Sequence, residues 1–219
     1  MANTTKCACI ITGYRGKIAS YNKVIKLLND KGYSVIAYEH NPIVITKGDP
    51  ALLPKLVHEI CEDFAKRTVT FEEVMCVGAS IGAGLCFALQ RQFTNVTCGI
   101  YAGAGVSPPA TIYEAPLFFI SRKKFAKAGY NKTKLLQAWA DVDILPGNNF
   151  ASTPFIMALG KKDRIVKFEK ALNTLHAWKT NGQDIQIITK DNLGHIGIIR
   201  WYKKHFKELL AESEKMRSV

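Results

Sequence analysis

The segment Glu73–Gly84 reads EVMCVGASIGAG, and the rest of the chain is best understood from it. Its first part, Glu73–Val77, is a short apolar run that predicts a buried strand. The following residues, from about Ile81 to Phe93, predict a helix. Gly78–Gly82 therefore forms a sharp strand-to-helix turn, and its serine has room there only because the neighbouring residues are small.

Strand and helix patterns alternate on both sides of this turn. Six strands that alternate with helices predict a mostly parallel sheet covered on both faces, a three-layer α/β/α sandwich. The predicted strands are Lys6–Thr12, Ser34–Tyr38, Glu73–Val77, Val96–Ala102, Pro154–Leu159 and Ile185–Thr189, and the predicted helices are Ile18–Asp30, Ala51–Arg67, Ile81–Phe93, Lys167–Asn181 and Ile198–Glu212.

One stretch, residues 103–153, breaks the alternation. It contains four prolines, an apolar-aromatic run at Leu117–Ile120 and one predicted helix, Lys132–Ala140. This insert could be a small lid or a pocket lining, or an ordinary crossover with irregular loops. With 219 residues, 47% of them hydrophobic, we expect residues 1–219 to form a single domain with a frayed tail at 213–219.

Ser80 is the candidate nucleophile. The turn places it at the start of a helix, where free backbone N–H groups and the helix dipole stabilise developing negative charge. A glycine-rich turn without a catalytic role could have the same sequence. The prediction that Ser80 is a nucleophile therefore requires a base that can accept the serine proton.

The base is predicted among five histidines. Three lie within predicted helices and have simpler explanations: His58, His176 and His205. His40 follows the second strand, at the same end of the sheet as Ser80, and stays open as an alternative. We favour His195, which lies directly after the last strand, and we expect the flanking Gly194 and Gly197 to give its loop conformational freedom.

The third member should be a carboxylate that orients the histidine. Asp163 follows the fifth strand and can accept the Nδ1–H of His195, which fixes the ring tautomer. The alternatives are Asp141, Asp143 and Asp191. We favour Asp163, because Asp191 is only four residues from His195 and the other two belong to the insert.

An oxyanion formed at Ser80 would need two N–H donors. One is expected from the backbone of Ile81, directly after the serine. The other is expected from the loop after the first strand, with Tyr14 preferred and Arg15 second.

The charge and the cysteines exclude several other classes. The formal net charge is +12, but the 30 Lys and Arg residues are scattered, so we expect a solvated basic surface and no nucleic acid partner. The six cysteines lie in apolar runs without ligand spacing, which predicts buried free thiols and no metal site. No apolar run is long enough to cross a membrane and no signal-peptide pattern is present, so we expect a cytoplasmic protein.

Taken together, the order Ser80, Asp163, His195 and the turn at Gly78–Gly82 resemble the α/β-hydrolase superfamily, in particular its small serine esterases, lipases and thioesterases. The resemblance covers nearly the whole chain and implies a minimal sheet that begins at the family's third strand, in the order 2-1-3-4-5-6. It also implies hydrolysis through an acyl-enzyme on Ser80 without a cofactor. This chain departs from many relatives in the loop that would supply the second oxyanion donor, because Thr12-Gly13 replaces their His-Gly.

The resemblance determines a mechanism better than a substrate. The apolar stretch Tyr113–Ile120 suggests a small to medium acyl group on a small-molecule substrate. Two other functions stay open: a non-catalytic protein of the same fold that binds a ligand or partner, and a basic protein that recruits an acidic partner. A dinucleotide-binding sheet is disfavoured, because Gly13–Gly16 lacks the G-x-G-x-x-G pattern.

Overall fold

The computed structural model describes residues 5–105, 107–140 and 153–217. Within these residues six strands form one sheet in which every pairing is parallel. The order β2-β1-β3-β4-β5-β6 confirms the predicted fold and topology. The strands are β1 (Lys6–Ile11), β2 (Ser34–Tyr38), β3 (Glu73–Ala79), β4 (Val96–Ala102), β5 (Phe155–Gly160) and β6 (Ile185–Lys190).

Helices cover both faces of the sheet. One face packs against α1 (Asn22–Asp30), α8 (His195–Lys204) and α9 (Phe206–Arg217). The other packs against α2 (Leu52–Thr68), α3 (Ile81–Gln92) and α7 (Phe168–Thr180). In the three described ranges, every helix is too short or too polar to cross a lipid bilayer.

Consecutive strand residues supply the two hydrophobic layers in turn. In β1, Cys7, Cys9 and Ile11 belong to one layer, whereas Ala8 and Ile10 belong to the other. Because both faces are covered, the strand is apolar throughout and shows no polar alternation. All six cysteines are buried and free, as the sequence predicted.

The end of the chain differs from its prediction in two ways. The single helix predicted at Ile198–Glu212 is two helices, α8 and α9, which separate at His205. The His205 ring stacks on Trp201 and binds its carbonyl oxygen. The tail predicted to fray is helical as far as Arg217, whose guanidinium pairs with Glu73 at 2.9 Å and donates to the Tyr33 hydroxyl at 2.8 Å.

The insert contains more helix than the one predicted segment. Three helices form in its described part: α4 (Pro108–Glu114), α5 (Phe119–Lys127) and α6 (Lys132–Ala138). Pro108 begins α4 directly after the cap Ser107, a position where its missing N–H costs nothing. The remainder of the insert, 141–152 with Pro146, Asp141 and Asp143, lies outside the described residues.

These insert helices are fastened to the body of the protein. Trp139, fully buried, donates its indole N–H to the Pro50 carbonyl at 2.7 Å. The Glu114 carboxylate at the end of α4 pairs with three ammonium groups, those of Lys132, Lys167 and Lys170. Two of the three belong to the region of α7, so Glu114 joins the insert to the main domain.

The Glu114 cluster leads to a test of stability. Burial alone would raise the pKa of Glu114, but Lys132 and Lys170 outweigh it and lower the pKa from 4.5 to about 2. The stabilisation is therefore complete above pH 4.5 and is lost as the pH falls toward about 2. We expect Glu114→Gln to reduce the free energy of unfolding by about 1 kcal/mol at neutral pH.

Urea unfolding over a series of pH values measures the free energy of unfolding of wild type and of Glu114→Gln. The difference between wild type and Glu114→Gln should shrink through the acid window, whereas Glu72→Gln, at an exposed position directly before β3, should behave like wild type throughout. A difference that does not depend on pH would contradict the assignment.

Candidate active site

Ser80 lies between β3 and α3 in a backbone conformation that residues other than glycine rarely adopt. Its φ and ψ are 54° and −127°, and among the described non-glycine residues only Ser80 and Arg15 have positive φ. Two backbone hydrogen bonds hold the turn: the Ser80 N–H donates to the Ala102 carbonyl at 2.9 Å, and the Ala83 N–H donates to the Ser80 carbonyl at 3.1 Å. Such strain persists only where the surroundings impose it.

Glycines allow this turn to pack against the end of β1. A Cβ at position 82 would overlap the carbonyl oxygens of Ile11 and Thr12, and one at position 78 would lie 2.7 Å from the Cα of Ala83. The predicted need for small neighbours thus has a definite cause: the first turn of α3 sits directly on the backbone that leaves β1.

The structure brings Ser80, His195 and Asp163 into one hydrogen-bonded chain. The His195 Nε2 lies 3.0 Å from the Ser80 Oγ, and the His195 Nδ1 lies 2.7 Å from the Asp163 Oδ2. An ionised Asp163 can only accept, so Nδ1 carries the proton and Nε2 is free to accept from the serine hydroxyl. Asp163 and His195 are both buried at 9% exposure, which keeps water from competing for these bonds.

Asp163 is oriented by its second oxygen. The Oδ1 atom accepts the backbone N–H groups of Ile165 at 2.8 Å and Val166 at 2.9 Å. These bonds close a tight turn after β5 and leave Oδ2 aimed at the histidine.

The prediction that Gly194 gives the segment before His195 conformational freedom is wrong. Gly194 has an ordinary extended backbone, with φ −88° and ψ −172°, so it does not need the freedom of glycine. What matters is close approach: a Cβ at Gly194 would lie 3.2 Å from the Lys162 carbonyl oxygen, and one at Gly160 would overlap the Leu193 carbonyl. A backbone hydrogen bond joins the segment before Asp163 to the segment before His195: the Lys162 N–H donates to the Leu193 carbonyl oxygen at 3.0 Å.

The alternative residues lie elsewhere or have other partners. His40 is buried at the end of β2, where burial lowers its pKa and the backbone of Thr12 and Asn41 partly offsets the effect. Asp191 is exposed and pairs with Lys161 at 2.7 Å. Asp141 and Asp143 lie outside the described residues.

The loop after β1 forms a fixed turn beside Ser80. The Gly16 N–H donates to the Gly13 carbonyl at 2.8 Å, and the Thr12 hydroxyl donates to the Gly16 carbonyl at 3.2 Å. Thr12, which the sequence marked only as a departure from the family, thus supports the turn. Ile81 begins α3, so its N–H has no acceptor within the helix. Tyr14 and Ile81 border the same cavity as Ser80, and their role as oxyanion donors stays a prediction.

The sequence missed Gly103, which follows β4. Its φ is +58°, and a Cβ there would lie 3.3 Å from the His195 ring. Its position directly after a predicted strand, at the same sheet edge as Ser80, is a signal that could have found it.

Two cavities of different character meet at Ser80. The first, which we call the apolar pocket, has walls that include Ile45, Pro108, Ile112 and Val166. The second, the basic cleft, lies between the Gly13–Gly16 turn and α8, with Arg15, Arg200 and Lys203 in its walls. Tyr14 and Phe118, whose rings meet edge to face at 5.8 Å, border both. In the described part of the chain, no three His, Cys, Asp or Glu residues cluster closely enough to hold a metal ion.

Comparisons with known proteins agree with this architecture. The sequence profile described as the prolyl oligopeptidase family matches residues 58–213, a range that contains Ser80, Asp163 and His195. Comparison with curated proteins gives no match.

Similar solved structures include an esterase of Pyrococcus furiosus, with a TM-score of 0.63, 18% identity and coverage of 98% of this chain and 83% of that one. The acylaminoacyl peptidase of Pyrococcus horikoshii has a TM-score of 0.67 and 14% identity, with coverage of 98% of this chain and 37% of that one. An acetyl xylan esterase from Paenibacillus sp. R4 has a TM-score of 0.67 and 14% identity, with coverage of 95% and 75%. At these identities the likeness shows the fold.

The strained backbone at Ser80 can be tested through stability. Ser80→Ala and Ser80→Gly both remove the hydroxyl, but only glycine adopts the observed φ and ψ without strain. We expect Ser80→Gly to be more stable than Ser80→Ala by about 1 kcal/mol, because relief of strain exceeds the greater entropy of glycine in the unfolded chain. Urea unfolding of the two variants measures the difference, and equal or reversed stabilities would show that the turn stores no strain.

Proposed function

Because the chain belongs to the prolyl oligopeptidase family of serine hydrolases, within the α/β-hydrolase superfamily, we propose that it hydrolyses an ester or thioester of a small to medium acyl group through an acyl-enzyme on Ser80. The observation that carries the proposal is the hydrogen-bonded chain from Ser80 through His195 to Asp163. Its members are 115 and 32 residues apart in sequence, yet their reacting atoms lie within 3.0 Å. A glycine-rich turn without catalytic purpose would not require this convergence.

In the proposed reaction, the Ser80 Oγ attacks the acyl carbonyl carbon while the His195 Nε2 takes the hydroxyl proton. Asp163 stabilises the imidazolium that forms. The tetrahedral oxyanion accepts the N–H groups of Ile81 and Tyr14, each donor contributing about 100-fold or more to the rate. His195 then protonates the leaving group, and water activated by the same ring releases the acid from Ser80.

The apolar pocket is the proposed site for the acyl group. None of the side chains in its wall is charged, and the insert helix α4 supplies Pro108 and Ile112 as part of it. Burying an alkyl chain there contributes about 0.8 kcal/mol per methylene group, so the pocket favours acyl groups longer than acetyl. This assigns the insert the role of a pocket wall.

A second candidate reaction is hydrolysis of a peptide or acyl-amino acid bond. Two comparisons favour this reaction. The matching family is described as that of prolyl oligopeptidases, and one solved structure of similar fold is an acylaminoacyl peptidase. The same Ser80 chemistry would serve, and only the leaving group would change from an alcohol or thiol to an amine. The runner-up of a different kind is a non-catalytic protein of the same fold.

Labelling with a fluorophosphonate probe tests whether Ser80 is an active nucleophile. We expect wild type to be labelled, Ser80→Ala not to be labelled, and His195→Gln to react at least about 1,000-fold more slowly. His40→Gln should retain labelling, because His40 makes no hydrogen bond with Ser80 in the described structure. Absence of labelling of folded wild type would favour the non-catalytic protein.

Turnover separates the two candidate reactions. p-Nitrophenyl esters from acetate to decanoate should be hydrolysed with an optimum at an intermediate chain length, and acetyl-aminoacyl p-nitroanilides should be poor substrates. The reverse preference would assign the site to peptide hydrolysis.

Asp163→Asn tests the orientation of His195. The amide oxygen can still accept the Ile165 and Val166 N–H groups, but its NH₂ would face Nδ1 and favour the tautomer with a proton on Nε2. We expect kcat for p-nitrophenyl butanoate to fall about 10⁴-fold while the free energy of unfolding changes by less than about 1 kcal/mol. Asp191→Asn, an exposed matched control, should leave kcat unchanged. An Asp163→Asn enzyme of near wild-type rate would refute the role of Asp163.

A further inference from the structure

The basic cleft meets the apolar pocket at Ser80 and extends from there along α8, and we place the leaving group of a bound ester in it. Three cations line it, Arg15, Arg200 and Lys203, and no acidic residue does. In the described parts of the chain none of these three side chains forms an ion pair with a carboxylate.

A net charge of +12 leaves many lysines unpaired, so unpaired cations alone identify nothing. Lys203 differs because its ammonium contacts two other residues that line the cleft, Ser20 and Tyr21. It is only partly exposed, its Nζ lies 3.2 Å from the Ser20 Oγ, and it stands 4.9 Å from the centre of the Tyr21 ring. Burial and, after it, the nearby Arg200 lower its pKa. The partly buried Lys203 ammonium is thus one helical turn from a second, exposed cation on the same helix, and a bound anion would relieve the repulsion between them.

The cations occupy the same face of α8 as the histidine. His195, Ile199 and Lys203 are spaced by four residues, as are Ile196 and Arg200, and all five line the cleft. At 1.5 Å per residue, the backbone positions of Arg200 and Lys203 lie about 7.5 and about 12 Å along the helix axis from His195. Along α8, the isoleucines therefore border the part of the cleft that is nearest to His195. The two cations border the part that is farther from it.

We propose that the natural substrate is an acyl ester or thioester whose leaving group carries a phosphate, bound by Arg200 and Lys203. This inference rests on the proposed hydrolase function and adds its substrate class. A phosphate fits better than a single carboxylate, because its two charges and several oxygens can engage an Arg fork and a Lys ammonium at once. Hydrolysis consumes one water and releases the carboxylic acid and the phosphorylated alcohol or thiol.

The test compares two soluble substrates that differ only in the phosphate, 1-butanoylglycerol 3-phosphate and 1-butanoylglycerol. We expect wild type to show a kcat/KM about tenfold or more higher for the phosphorylated compound. The gain should lie in KM, because the phosphate is remote from the bond that breaks and is bound equally in the ground and transition states. Added salt should reduce the ratio. Since these short-chain compounds stay in solution, the ratio reports the leaving group and not attraction to a charged lipid surface.

Substitutions in the basic cleft test whether its cations cause the preference for the phosphorylated substrate. The double variant Arg200→Gln/Lys203→Gln should bring the ratio of the two kcat/KM values close to one. Lys204→Gln, the exposed neighbour at the end of α8, removes one positive charge outside the cleft and should keep the wild-type ratio.

The outcomes separate this inference from the function on which it rests. An enzyme that is labelled at Ser80 and hydrolyses p-nitrophenyl butanoate, but shows a ratio of one or turns over neither glycerol compound, overturns the phosphate inference alone. A preference that survives in the double variant overturns the assignment to Arg200 and Lys203. Absence of labelling and of all ester turnover refutes the proposed function itself.

Discussion

The contact between the first turn of α3 and the backbone that leaves β1 is the constraint on which the site depends. Gly82 lies against the carbonyl oxygens of Ile11 and Thr12, where no side chain fits. This contact holds Ser80 in its strained conformation at the edge of the sheet and brings it beside the Gly13–Gly16 turn. Because all the strands are parallel, the loops after β1, β3, β4, β5 and β6 emerge at that same edge.

The remaining geometry follows from contacts between backbone segments rather than from the polar residues alone. Asp163 is aimed by two backbone N–H groups, and its loop reaches the histidine loop only because Gly160 and Gly194 permit close approach. The insert helices, fixed by Trp139 and Glu114, close one side of Ser80 with apolar residues, while α8 borders the other side with cations. One serine thus lies between an apolar and a positively charged space.

Several features could be predicted from local patterns because their causes are local. The alternation of strands and helices and the small residues at 78 and 82 follow from short-range sterics and hydrophobic periodicity. The loop position predicted for His195 is wrong, because the helix after β6 begins at His195 itself and not at Ile198. The predictions failed where a distant partner or an exact position decided the outcome. Residues 213–217 stay helical with Arg217 bound to Glu73, 144 positions away, and the helix that begins at Pro108 lies where the sequence pattern predicted none.

The sequence by itself determined the parallel sheet, the turn that carries Ser80 and the order in which the three candidate residues follow one another. Local steric demands and apolar periodicity are written in neighbouring residues, so no distant contact was needed to find them. Only the tertiary structure decided which histidine and aspartate meet the serine, and where the apolar and positive walls lie. Those facts depend on distances between loops far apart in the chain, and parallel strands of fixed register set these distances.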